Sequence, residues 1–219
     1  MEFETPRLIL RPWQPTQDAR HAMDIFGDAR VMKWVEPGSE DKSIRQVQGR
    51  LQRYLDQSTL APRKRGSWAV VQKDIYRVIG HVTLLPLPDL KEVRGQHVAE
   101  DIPDGLPTDY TEIGWHFRPA SWGFGYATEA VHRIAKHGFE KMDLSLLLGV
   151  TQPDNQRSIA LMERIGMRYD GITTRLYGGQ ELLLYRMSPE HLSDKPSDQP
   201  SGQLPDQMAE EKADQLPDQ

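Results

Sequence analysis

The sequence predicts a mixed α/β (α+β) fold: a central sheet of about six to seven strands flanked by about four helices, in the order βααβββαβαββ. Three observations carry that prediction. Short segments alternate apolar and polar residues with period two, longer ones place apolar residues at i, i+3 and i+4, and the two kinds are interleaved rather than segregated. At 219 residues the chain is long enough for one domain with a sizeable core.

The first strand is set by Leu8 and Leu10 alternating with Arg7 and Arg11, and Pro12 stops it. A helix follows, with Thr16 as its expected cap and Ala19, Ala22, Met23 and Phe26 on one stripe. Ser43 and Gln46 have the spacing of a capping box, and Ile44, Val47, Leu51, Tyr54 and Leu55 form one side of a second helix ending near Gln57. Ser67 to Gln72 and Val78 to Leu85 are β-rich and joined by the polar link KDIYR, which predicts an antiparallel hairpin. Pro86 to Tyr110, rich in Pro, Asp and Gly, reads as a long loop and substrate-side lid. Glu112 to Phe117 is the next strand, and Tyr126 to Met142 is the best-marked helix, with Ala127, Ala130, Val131, Ile134, Ala135, Gly138 and Phe139 in register. LSLLLGV (Leu144 to Val150) reads as a buried strand, Asn155 to Ile165 as a helix ended by Gly166, and two strands flank the turn YGGQ (Tyr177 to Gln180).

Residues 1–192 form the folded domain on this reading, and residues 193–219 an acidic Pro/Gln/Asp-rich tail, expected to be disordered, in which QLPDQ occurs twice. Seven of the 32 acidic residues and two of the 27 basic ones lie from Ser193 onward, so 25 of each sign remain in the domain. A neutral body lacks the broad cationic field of a nucleic-acid binder. The chain has no cysteine, which excludes thiolate catalysis, sulfur-ligated zinc and disulfides, and fits a reducing cytoplasm. No apolar run approaches the roughly 20 residues of a membrane span, and MEFETPRLIL lacks the apolar stretch of a signal peptide, so an unprocessed cytoplasmic protein is expected.

WGFGYATEA (Trp122 to Ala130) carries the chemistry. A strand feeding a glycine-rich turn and then a helix offers unpaired N–H groups and the positive end of a helix dipole, a natural site for a diphosphate. Gly123 and Gly125 let an anion approach the backbone, and Tyr126, Ala127 and Thr128 add first-turn N–H groups. A nucleotide-hydrolysing P-loop would need Gly-Lys-Ser/Thr here, which is missing. A dinucleotide fingerprint would need a third glycine where Thr128 stands.

EIGWHFRPASWGFGYATEA (Glu112 to Ala130) followed by QPDNQRSIALMERIGM (Gln152 to Met167) resembles the GCN5-related N-acetyltransferases (GNAT superfamily). The opening TPRLILRPW (Thr5 to Trp13) is similar to that of the ribosomal-protein N-terminal acetyltransferase branch. The resemblance covers residues 5 to about 188. It implies the GNAT fold, acetyl-CoA as co-substrate, no metal, and as partner an amine acceptor, either a protein N-terminus or a small molecule, with the enzyme a monomer or homodimer. Trp122, Gly123, Phe124, Gly125, Tyr126 and Ala127 would form the pyrophosphate loop, with Thr128 in the first helical turn. The strand matching Ile113 to Phe117 would splay from its neighbour and pair its backbone with the pantetheine arm, making Phe117 a main-chain contact. Asn155 and Ser158 would border the pantetheine and its sulfur. Arg118 and Arg157 are in reach of phosphate or are plain surface residues.

The chemistry implied is direct attack of an uncharged amine on the thioester, a backbone N–H holding the oxyanion. Many members of the superfamily place a tyrosine acid seven residues after the asparagine. That position is Met162, which has no proton to give. Ser158 is the remaining donor to the leaving thiolate, itself a fair leaving group with a thiol pKa near 8.5. For the base, Glu112 and His116 share one strand face, His81 is a more distant choice, and Glu129 is accounted for by the helix dipole. Loss of the tyrosine also leaves open a catalytically weak coenzyme A-binding or sensory module.

Overall fold

A computed structural model describes residues 1–35, 37–60, 65–87, 110–174, 176–177 and 179–192. Among these residues eight strands form one mixed sheet: β1 (Phe3–Glu4), β2 (Leu8–Pro12), β3 (Gly66–Gln72), β4 (Arg77–Pro86), β5 (Thr111–Phe117), β6 (Leu147–Thr151), β7 (Arg168–Thr173) and β8 (Leu182–Met187). Their order across the sheet is β1-β2-β3-β4-β5-β6-β8-β7. The helices are α1 (Pro15–Phe26), α2 (Ala29–Met32), α3 (Ile44–Leu60), α4 (Tyr126–Met142) and α5 (Gln156–Arg164). The expected order holds, with β1 and α2 added. Two and four residues long, they are too short to leave a periodic signal.

Alternation along the strands divides the core. Leu8, Leu10, Val70, Val82, Leu84 and Ile113 point to one face, where α4 and α5 bring Ile134, Ala135, Ile159 and Met162. Ala69, Val71 and Val78 point to the other, against Trp13, Phe26, Val47 and Leu51 from the α1–α3 side. Each aliphatic side chain buried in this way contributes roughly 1.5–3 kcal/mol.

Several local details differ from expectation. Thr16 lies inside α1; Gln14 is the N-cap and Pro15 occupies the first turn. No side chain caps the first turn; instead Asp18 accepts the Gln14 N–H at 2.8 Å while both Arg11 Nη atoms donate to its carboxylate, which fixes the approach to the helix. The Ser43 cap forms, with Gln46 N–H donating to Ser43 Oγ at 3.3 Å, but Gln46 Oε1 takes its backbone bond from the Lys42 N–H at 2.6 Å, with the Ser43 hydroxyl a longer donor at 3.4 Å. Helix α3 runs three residues past Gln57, and Ile44 is exposed at its start. Strand β6 begins only at Leu147, because Asp143 ends α4 in a left-handed conformation and Leu144 to Leu146 must bring the chain back to the sheet. The lid expected over Pro86 to Tyr110 falls largely on residues 88–109, outside the described residues, as does the tail from Ser193. Among the described residues no helix is long and apolar enough to cross a membrane.

Two irregularities shape the centre. In β4, Val70 opposes Gly80 and Val71 opposes Val78, leaving Ile79 as a bulge. Its carbonyl accepts the Arg118 N–H at 3.0 Å and so fixes where the chain leaves β5. Strand β5, antiparallel to β4 over its whole length, pairs in parallel with β6 only at Glu112↔Leu148. Beyond that pair the two strands diverge.

Candidate active site

The divergence opens a groove of about 1210 Å³. Trp115, His116 and Phe117 of β5 line one side, the Ser121 to Glu129 segment one end, and Asn155, Ser158 and Leu161 of α5 the opposite wall. The structure therefore gathers Phe117, Trp122, Gly123, Phe124, Gly125, Tyr126, Ala127, Thr128, Asn155 and Ser158 around one space, with His116 beside them. Glu112 sits four residues back along β5, at the point where the strands still pair.

The glycines do what the opening motif requires. Gly123 and Gly125 have φ of 86° and 76°, a region in which side chains other than glycine are strained. A Cβ on Gly123 would meet nothing within 4 Å, so the position is fixed by backbone conformation and the space before it is open. Gly125 is the N-cap of α4 and offers no side chain to its first turn, which leaves the Tyr126, Ala127 and Thr128 N–H groups for a ligand.

What holds this turn was not legible in the motif. Glu129 accepts from Thr5 Oγ1 at 2.6 Å, from the Arg7 N–H at 3.0 Å and from Arg7 Nε at 2.6 Å. Arg7 also donates to the Phe124 carbonyl at 2.9 Å and lies 4.6 Å over the Tyr126 ring. Assigning Glu129 to the helix dipole alone is therefore corrected: it ties the start of β2 to α4. Trp122 Nε1 donates to the Phe117 carbonyl at 2.8 Å, occupying one lone pair of the main-chain group expected to meet a ligand.

On α5, Asn155 is the N-cap, its side-chain oxygen accepting the Ser158 N–H at 3.4 Å. Its amide N–H groups are what it has left for the groove. The Ser158 hydroxyl lines the groove four residues before Met162, which is 2 % exposed and packed toward Gly149 of β6. The place of the superfamily's tyrosine is thus apolar core. Arg118 turns away to Asp24, 3.7 Å distant, whereas Arg157 lies 4.7 Å over the Trp122 indole at the groove's edge.

The candidate bases differ sharply. His116 faces His81 across the β4–β5 ladder, Nδ1 to Nδ1 at 3.4 Å, among the rings of Phe26, Trp13 and Tyr54. Burial, then the Arg50 charge, pushes His116 down to about 4. His81 is lowered well below its ordinary value by burial, by His116 and by Arg50. Both imidazoles are neutral near pH 7, and His116 has little affinity for an amine's proton. Glu112 moves the other way: burial pushes its carboxyl up to about 7, partly opposed by a short hydrogen bond donated by the Tyr177 hydroxyl. Tyr177 is half exposed and has φ of 50° in the β7–β8 connection. The sequence marks it only as the first letter of a turn. Among the described residues no cluster of three or more His, Asp or Glu is placed to hold a metal ion.

Residues 7–168 match the family described as Acetyltransferase (GNAT) domain. The chain is 27% identical over 175 residues to the Bacillus subtilis (strain 168) protein named Uncharacterized N-acetyltransferase YnaD, covering 78% of this chain and 85% of that one. It is 29% identical over 170 residues to the Aspergillus fumigatus FsC-acetyl coenzyme A-N(2)-transacetylase, covering 76% and 65%. A Bacillus anthracis GNAT-family acetyltransferase has the same fold, with a TM-score of 0.65 at 22% identity over 87% of this chain and 99% of that one. With its splayed strands, its left-handed glycine turn at a helix start and a family match over most of its length, this chain belongs to the GNAT family of acetyltransferases.

Proposed function

We propose that the protein transfers the acetyl group of acetyl-CoA to a primary amine, with Glu112 as general base and Ser158 as proton donor to the leaving sulfur. The single observation that carries this is the restriction of β5–β6 pairing to Glu112↔Leu148. It leaves a strand edge for an extended ligand between the diphosphate-type turn at Gly123–Ala127 and the carboxylate at Glu112.

Acetyl-CoA supplies an activated thioester. The protein supplies position and protons. First-turn N–H groups of α4 and the αL glycines suit the diphosphate, and the free β5 edge suits an amide-bearing arm pairing as an added strand. The amine nitrogen attacks the carbonyl carbon and loses its proton to Glu112 through water; a backbone N–H at the β5 edge holds the oxyanion. The C–S bond breaks, and the sulfur takes a proton from Ser158 Oγ as the serine recovers one from water, which is balanced by the proton Glu112 returns to water. A carboxyl near pH 7 in affinity is matched to an amine's proton, whereas an imidazole pushed down to about 4 and a second one lowered well below its ordinary value by burial are not. His116 is better suited to shaping the polar floor, and the site needs no metal.

TPRLILRPW supports a protein α-amine as acceptor, and the name of the Aspergillus relative, an acetyl coenzyme A N(2)-transacetylase, supports a small-molecule amine. Buried Met162 favours a second reading, a coenzyme A-binding module with weak turnover. Release of coenzyme A thiol across a panel of N-terminal peptides and small amines separates the two, and the cysteine-free chain adds no thiol background. Turnover on any acceptor supports the transferase. Coenzyme A binding without turnover on all of them overturns it in favour of the module.

A further inference from the structure

Next to the groove, at the Trp122 end, is a second cavity of about 590 Å³ bounded by Arg30, Lys33, Trp34, Trp122 and Arg157. Trp34, Trp122 and Arg157 also line the groove, so the two spaces adjoin across shared walls. Three cations surround this small space, and among the described residues no carboxylate lines it. Arg30 is bound to Asp28 at 2.6 Å, but among the described residues Lys33 and Arg157 have no acidic partner. Each lies instead against an indole: Lys33 Nζ is 4.2 Å over Trp34 and Arg157 Cζ 4.7 Å over Trp122. Cation–π contacts of this kind hold the charges at the wall rather than letting them extend into water. Two preset cations without an acidic partner among the described residues, facing one cavity, suit a doubly charged, compact anion.

Position selects the source of that anion. The cavity touches Trp122, which directly precedes the glycine turn, while Glu112 lies five residues along β5 from Phe117, roughly 17 Å at strand rise. The amine therefore reacts at the far end, and the phosphate covalently nearest the diphosphate is the ribose 3′-phosphate of coenzyme A. We propose that the Lys33–Arg157 cavity is a phosphate-monoester site that takes this 3′-phosphate and makes the protein distinguish coenzyme A from its 3′-dephospho form. The proposal rests on the coenzyme A reading of the groove.

Calorimetric titration of the full chain with coenzyme A and with 3′-dephospho-coenzyme A tests it without any acceptor. The wild type is expected to bind the dephospho form at least about tenfold more weakly, and the gap to rise with falling salt. In the double variant Lys33→Gln/Arg157→Gln the gap between the two ligands should close, coenzyme A losing about tenfold more affinity than the dephospho form; Arg157→Lys with native Lys33 should retain part of the gap. Retained binding of the dephospho form is the control for folding. Equal wild-type affinities for both ligands, or an equal loss of both in the double variant, overturn the proposal while leaving the groove reading intact. Intact discrimination in the double variant, with weakened use of acidic acceptors alone, would give the cavity to an acceptor anion and overturn it too. Failure of both ligands to bind wild type removes the groove reading and the proposal with it.

Discussion

Replacing Glu112 with glutamine should lower activity and raise stability at alkaline pH, and the two effects share one origin. Folding raises this carboxyl from its ordinary 4.5 to about 7, chiefly by burial. Between those values the folded state binds more protons than the unfolded one, so Glu112 makes stability fall as pH rises through that window, the reverse of an ion-paired carboxylate. The full difference corresponds to about 3 kcal/mol at ~1.4 kcal/mol per pH unit. Partial exposure of the side chain reduces this, and about 1–2 kcal/mol is expected. Glutamine keeps an oxygen for the Tyr177 hydroxyl and carries no charge. Urea unfolding at pH 5 and pH 8 should therefore show Glu112→Gln gaining about 1–2 kcal/mol over wild type between the two conditions, or roughly 3–6 °C in Tm. In the wild type, kcat/KM on the best acceptor should rise about tenfold from pH 6 to pH 8 as the base ionises, and the variant should lose 10²- to 10⁴-fold and the pH limb with it. Parallel pH–stability curves for the two proteins would refute the raised affinity, and a retained pH limb would refute Glu112 as base.

Tyr177→Phe removes the hydrogen bond that favours the Glu112 carboxylate, so the activity limb should move to higher pH with coenzyme A binding unchanged; an unmoved limb would count against the tether. His116→Gln should flatten the loss of stability on acidification from pH 6.5 toward 4, because the folded imidazole, held down to about 4, refuses protons that the unfolded chain accepts; denaturant midpoints across that range measure it. Glu129→Ala strands the Arg7 and Thr5 donors and should cost about 1–3 kcal/mol in urea unfolding while weakening coenzyme A binding through a loosened α4 start. Gly80→Ala places a Cβ 2.4 Å from the Phe117 ring, and the displaced strand edge should cost about 1–3 kcal/mol and raise KM for acetyl-CoA.

Much of the architecture was legible because it rests on local rules. The period of Tyr126–Met142, the glycine turn before it, the Asn155 cap and the alternation of β2 through β5 each record burial on one face or a backbone requirement within a few residues. The order of elements followed, as did the gathering of the turn and of Asn155 and Ser158, since both belong to helix starts feeding from neighbouring strands. Methionine at position 162 declared the missing acid without coordinates. Short-range signals failed where a partner far away in sequence set the outcome. Thr16 reads as a cap, but Pro15 opens the helix before it and Asp18, fixed by Arg11, holds the Gln14 N–H. Glu129 reads as a dipole charge until Thr5 and Arg7 arrive from across the sheet. The choice among bases belongs wholly to tertiary structure. Glu112 and His116 are equivalent in the sequence, two polar residues on one strand face, and only their surroundings separate them. His116 is packed against His81 and the rings behind it, and Glu112 stands at the point of divergence under Tyr177. Proton affinity depends on desolvation and neighbouring charge, which no spacing rule encodes.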